Sequence, residues 1–396
     1  MSTRSLTLAV FIDAFGWEVL KRHPFLEGAL AHQSPLDTIF GYSSSCDPTI
    51  LTGTLPREHD HFSFFYYDPS RSPFRGFDRL SALPAAIVER GRVRHWISRI
   101  VGTWKQFTGY FQLYAVPFKW LPLFDYSEQR DLYQPGGIRG GQPTVFDHLR
   151  HAGVPFHCSD WRASEEENLA SLRTAVQTGE IRFAYLFLAH MDAVLHEHGT
   201  TATAVADKVQ WYDRHLRDLL ARARAQYGDV KLMVFSDHGM TNVTDHCNLM
   251  ARIDALGLAF GRDYAAVYDS TMARFWFFND QARARIVEAL GAESRGHIVS
   301  DAELERWGCD FPGQTYGELY FLMKPGVLLH PSFMGRSAPA GMHGFAPEDR
   351  DSLAMFASTW TPAQIPRRLD DLCTLMLDSV GVSADALTAQ RGKKAA

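Results

Sequence analysis

Apolar and polar positions along this chain follow two periods. Three short runs are almost wholly apolar and rich in β-formers: Leu6 to Ile12, Arg182 to Leu188 and Val230 to Phe235. Between them lie segments whose apolar positions recur every three or four residues, the period of a helix with one buried face. The longest, Thr203 to Gln226, carries Val205, Val209, Tyr212, Leu216, Leu219 and Leu220 on one side and charges on the other. The Asp47 to Thr54 region, Thr144 to Ala152 and Ser164 to Thr178 read in the same way. Continuous apolar strands separated by amphipathic helices predict an α/β fold on a mainly parallel sheet, covered on both faces.

Each apolar run ends in chemistry. Asp13 closes the first, His190 and Asp192 follow the second, and KLMVFSDHGM ends the third on adjacent Asp237 and His238. Ligands of parallel sheets collect beyond the carboxyl ends of strands. A carboxylate beside an imidazole there reads either as a ligand pair or as a turn cap with an ordinary loop histidine.

Two regions interrupt the alternation. Residues 62–140 are aromatic-rich and proline-punctuated, with Trp96, Trp104, Phe107, Tyr110, Phe111 and Trp120 among their rings. A lid packed on the sheet is the plainest reading. A membrane-contacting surface, or a pocket for a base, a sugar or an acyl chain, stays open. Residues 250–336 carry strand and helix patterns of their own, such as Ala273 to Phe278 followed by Gln281 to Leu290, and predict a small α+β lobe. Its last strand pattern, Leu319 to Met323, leads through loops to His343. The expectation is one catalytic domain over 1–386 and a flexible basic tail at 387–396.

Composition narrows the field. With 396 residues and 46% hydrophobic content the chain can bury a large core. Net charge is -5, from 40 basic and 45 acidic residues, so nothing general attracts nucleic acid. An anionic substrate would need a local positive site. The cysteines at 46, 158, 247, 309 and 373 form no CxxC pair and suit reduced thiols in a cytoplasmic setting. The first apolar run contains Asp13 and lacks a small-residue cleavage site, so it reads as a strand and not as an export signal. No apolar stretch reaches the roughly 18 to 20 residues of a spanning helix.

Asp192 and His196 stand four apart in HMDAVLHEHG, on one face of a helix, and His343 sits in GMHGF. Taken alone the pair is a helix-surface contact or half of a metal site. With Asp13, Asp237 and His238 there are six ligand-type residues in four segments. Split three and three, they could make two sites of mixed nitrogen and oxygen ligation, as zinc or a similar divalent ion takes. The stretch GYSSSCDPTILTGTLPREH places a serine cluster at the head of a helix pattern. Such a serine is either a cap or a nucleophile beside the positive end of the helix. Ser43, Ser44 and Ser45 are chemically equivalent.

The order Asp13, serine cluster with TG, DAVLH, SDHGM, GMHG resembles the alkaline phosphatase superfamily, and within it the type I phosphodiesterase and nucleotide pyrophosphatase branch. The resemblance covers about residues 5 to 59, 180 to 250 and 317 to 360. It implies a three-layer α/β/α core and two divalent metal ions, zinc with manganese as the alternative. Asp13, Asp237 and His238 fall around one ion, and Asp192, His196 and His343 around the other. The family's nucleophile lies ten residues before the glycine of the TG pair, which from Gly53 gives Ser43. Ser45 is the competitor if Pro48 shifts the helix start. Cys46 is not at that position and the CxPSR signature of sulfatases is absent, which disfavours formylglycine chemistry.

This chain departs from the branch in having serine for threonine. It also reads PREHDHFSFFYYD, with Asp60 for glycine and no asparagine following, where the family holds a phosphoryl oxygen. His59 and His61 either replace that donor or pack. The implied activity is hydrolysis of a small phosphodiester or pyrophosphate, with an aromatic, sugar or lipid group, through a phosphoserine. Phosphomonoesters, phosphonate esters and transfer to an alcohol are the alternatives.

Overall fold

The computed structural model describes residues 4–82, 90–335 and 337–384; the expected tail at 387–396 lies outside the described residues. The three apolar runs form the centre of a six-stranded sheet. Its order is His32–Leu36, Ala354–Ser358, Asp229–Phe235, Ser5–Ile12, Phe183–Leu188, Phe156–Cys158. Ser5–Ile12 lies between two parallel neighbours, with Val10 opposite Leu186 on one side and Val234 on the other. Phe156–Cys158 extends the parallel set, and Ala354–Ser358 runs antiparallel to both its neighbours. The mainly parallel sheet is therefore present.

Successive side chains of a strand point to opposite faces, and both faces here are apolar. Leu6, Leu8 and Val10 pack beneath the helices Glu165–Thr178 and Thr203–Gln226. Ala9 and Phe11 pack beneath Ser43–Thr52, Val145–His151 and Asp371–Asp378. The result is the three-layer α/β/α core. Helix starts follow the local chemistry: Ser164 and Glu167, and Thr144 and Asp147, form reciprocal capping boxes.

The two interruptions turn out to be one body. A second, antiparallel sheet is ordered Tyr264–Tyr268, Met272–Phe277, Leu319–Met323, Gly296–Ile298, with the helix Asp280–Gly291 against it. The aromatic segment shares its core: Phe65, Phe74, Leu113 and Phe124 pack with Tyr264, Phe275 and Phe321. Arg274 is fully buried at this junction, paired with Asp269 at 2.8 Å and donating to Ser63 Oγ at 2.8 Å and the Phe65 carbonyl at 2.9 Å. The sequence pattern treats the aromatic segment as a lid on the sheet. Most of it instead packs on the small lobe.

Candidate active site

Three strand ends bring the first ligand-type residues together. The Asp13 N–H donates to the Leu188 carbonyl at 3.0 Å, which ties the end of the first strand to its neighbour. Asp192 and His196 lie one turn apart on the helix His190–His198, with His196 Nε2 3.2 Å from Asp192 Oδ1. His343 follows the two-residue strand Gly341–Met342, which pairs with Thr241–Asn242 just beyond His238. That pairing returns a residue more than a hundred positions away to the same point. Two glycines allow the loops to close: a Cβ on Gly16 would sit 2.3 Å from Gly239 Cα, and one on Gly239 would sit 2.2 Å from the Asp351 carbonyl oxygen.

The result is one dense cluster of all six. His238 Nε2 lies 3.0 Å from Asp237 Oδ2 and 3.7 Å from Asp13 Oδ1, and His343 Nε2 lies 3.8 Å from Asp192 Oδ1. The rings of His238 and His343 stack at 3.7 Å. Two triads have mutually close donor atoms, Asp192 with His196 and His343, and Asp13 with Asp192 and His238. Asp192 is thus common to both, while Asp237 Oδ2 meets the same His238 Nε2 from outside either triad.

The cluster is electrostatically unbalanced in a way a cation corrects. Burial raises Asp13 well above the usual carboxylate range, and the charges of Asp237, Asp192 and Asp47 raise it further. Burial, with His238 and His196 nearby, pushes His343 well below the usual imidazole value. Asp13 Oδ1, Asp192 Oδ1, Asp237 Oδ2 and His343 Nδ1 are buried without a hydrogen-bond partner. His196 Nδ1 lies 2.8 Å from the Gly341 carbonyl and His238 Nδ1 2.9 Å from that of Gly239. An Nδ1–H donated to each carbonyl leaves the Nε2 lone pairs facing the carboxylates, as metal-binding histidines are held. This donor set fits divalent ions.

The serine cluster opens the helix Ser43–Thr52, and its three hydroxyls differ sharply. Ser44 Oγ donates to the Phe62 carbonyl at 2.8 Å, and Ser45 Oγ lies within 3.0 Å of the carbonyls of Phe40 and Tyr42. Ser43 Oγ instead lies 3.2 Å from His238 Nε2. It opens, with Asp13, Asp192, His196 and His343, into a cavity of about 1190 Å³. The far wall is aromatic, with Phe64, Phe107, Tyr110, Phe111 and Tyr114.

His59 and His61 do not reach this cavity. His59 Nε2 bonds Thr49 Oγ1 at 2.9 Å and His61 Nε2 accepts from the Arg139 N–H at 3.0 Å, so both are packing residues. The stretch after them supplies Ser63 and Phe64 to the wall. Two lining residues escaped the sequence reading. Asp47, one turn into the helix, has Oδ1 buried without a hydrogen-bond partner, and burial pushes the Glu128 carboxyl up to about 8. The signal for Glu128 was an acid close behind an aromatic stretch, 90–124, that contains none.

Sheet order, the ligand cluster at its carboxyl edge and a helix-borne serine define an alkaline phosphatase-like α/β protein. The family model for type I phosphodiesterase / nucleotide pyrophosphatase matches residues 7–346, and the chain belongs to that family of phosphate-ester hydrolases. No curated protein is significantly similar to it in sequence. Among solved structures, murine ectonucleotide pyrophosphatase / phosphodiesterase 5 is 16% identical over 96% of both chains, with a TM-score of 0.68. An inactive form of the murine protein in complex with AMP gives 15% identity, 96% of both chains and 0.69. The human counterpart gives 14%, 96% of both chains and 0.68.

Proposed function

We propose that this protein is a two-metal phosphodiesterase that cleaves small phosphodiesters or pyrophosphates through a phosphoserine on Ser43. The observation that carries this reading is the contrast within the serine cluster. Ser44 and Ser45 are committed to backbone carbonyls, and Ser43 alone faces the ligand cluster. Asp13, Asp237 and His238 would hold one divalent ion and Asp192, His196 and His343 the other, zinc being the ion that such mixed donors suit and manganese the alternative. Bound there, the ions would lower the pKa of the Ser43 hydroxyl and offset charge on the phosphoryl and leaving oxygens.

Ser43 Oγ would bond to phosphorus as the leaving oxygen departs on the opposite side. The positive dipole end of Ser43–Thr52, which begins at Ser43 itself, would lie beside the phosphoryl group. Water then attacks the phosphoserine from the vacated side, frees Ser43, and returns phosphorus to its original configuration. The aromatic wall suits a base, a sugar or an acyl chain, and the AMP complex of the murine protein supports a nucleotide. Five free cysteines support a cytoplasmic setting.

Initial rates on p-nitrophenyl phosphate, bis-p-nitrophenyl phosphate and a nucleotide p-nitrophenyl ester, with zinc or manganese supplied, test the substrate class. The two diesters should be turned over faster. A faster monoester would instead make this a phosphomonoesterase.

A further inference from the structure

One helix of the aromatic segment is not absorbed by the fold. Gly91–Lys105 is fixed by one face only: Arg94 donates to the carbonyls of Tyr114 and Val116 at 2.8 Å, and Ser98 Oγ accepts from the Leu113 N–H at 2.9 Å. At about 100° per residue, positions 96, 100 and 104 form one stripe beside the packed Ile97 and Val101. There Trp96, Ile100 and Trp104 are 64%, 48% and 68% exposed. Large hydrophobics exposed singly are ordinary, but an aligned stripe about 12 Å long is not.

The charge around the stripe is one-sided. Beyond the buried Arg94, the helix Gly91–Lys105 carries Arg92, Arg99 and Lys105 and no Asp or Glu, in a protein of net charge -5. Arg92 and Arg99 are exposed on this helix, and Lys105 Nζ lies 4.4 Å from the Trp104 ring centroid. Indole rings with bases alongside match the headgroup level of an anionic bilayer. A second copy of the chain is a poor occupant, because a two-fold contact sets this basic surface against itself. His95, Arg99, Gly102 and Thr103 of the same helix line the catalytic cavity.

We propose that Gly91–Lys105 seats the protein on an anionic lipid surface, with the mouth of the cavity beside it. The surface would then present phosphate esters carried by lipids directly to the site.

Co-sedimentation with phosphatidylcholine vesicles, with and without phosphatidylglycerol, tests the docking and does not depend on the phosphodiesterase reading. The protein should pellet only with phosphatidylglycerol present, and raised salt should release it. Trp96→Ser with Trp104→Ser should weaken partition about tenfold or more, as should Arg92→Glu, at unchanged melting temperature and unchanged hydrolysis of a soluble aryl diester. Arg92→Glu, on the surface, keeps the test valid if the double variant misfolds. Wild-type protein that stays in the supernatant, or variants that pellet as it does, overturn the proposal. So does self-association of the wild type, seen by sedimentation velocity, that the double variant loses.

Discussion

At the scale of single residues, the serine cluster shows what side-chain chemistry leaves undecided and partners decide. Three adjacent hydroxyls have equal intrinsic reactivity, and only spacing from Gly53 singled out Ser43 in the sequence. The contacts separate them. Ser43→Ala should abolish turnover and leave bound metal unchanged by elemental analysis. Ser45→Ala should keep turnover and lower stability by about 1 kcal/mol, since it strips a hydrogen bond from a buried carbonyl. Reversed results would move the nucleophile. Glu128 makes a second case. Burial lifts its pKa from 4.5 to about 8, so between those values the folded chain keeps a proton that the unfolded chain has released. Stability from this group is full below about pH 4.5 and declines as pH rises to about 8. Glu128→Gln removes that decline. Its melting temperature, in metal-free protein, should match wild type at about pH 4.5 and exceed it by a few degrees above about pH 8. A difference that does not vary with pH would rule out the buried charge as its cause. No periodicity could have exposed this residue, because it belongs to no helix or strand and lines the cavity with Tyr110 and Tyr114.

At the scale of elements, legibility followed burial on two faces. The three central strands are apolar throughout and were readable from the chain alone, as were the helices that cover them apart from Asp371–Asp378. His32–Leu36, with the sequence HQSPL, carries polar residues and a proline because it is an edge strand, and it gives no strand signal. Phe156–Cys158 is three residues long and gives none either. The helix Gly91–Lys105 does carry a helical period, with apolar residues at 93, 96, 97, 100, 101 and 104, but the aromatic content of the segment masked it. Loop closure at the carboxyl edge was legible only as a glycine after Asp237 and His238. The reason for that glycine is the 2.2 Å approach of the Asp351 carbonyl oxygen to where a Cβ would stand. Gly239→Ala should push the His238 turn away from Asp13, lowering both the melting temperature of the metal-free protein and its zinc affinity, the latter about tenfold by titration calorimetry. Unchanged affinity would mean that the cluster tolerates displacement of this turn.

At the scale of the whole molecule, the decisive contacts join residues about two hundred positions apart, and no local pattern announces such contacts. Ser63 and Arg274 are 211 positions apart, yet they help to make the aromatic segment and the small lobe one body. Arg274 is 0% exposed and has four hydrogen-bond partners: Asp269, Ser63 and the carbonyls of Phe65 and Tyr316. A buried pair of this kind adds little over an apolar replacement of both members, but removing one member leaves the other charge stranded. Arg274→Met should therefore cost about 3–5 kcal/mol in urea unfolding, while Arg274→Met with Asp269→Leu should recover much of the loss. Ser63 precedes Phe64 on the cavity wall, so loosening the junction reaches the substrate side of the site without touching the ligand cluster. The single variant should then raise KM for a nucleotide ester more than for bis-p-nitrophenyl phosphate and keep its bound metal. Equal effects on both esters would show that the wall recognises only the phosphodiester they share, and that the lobe acts on stability alone.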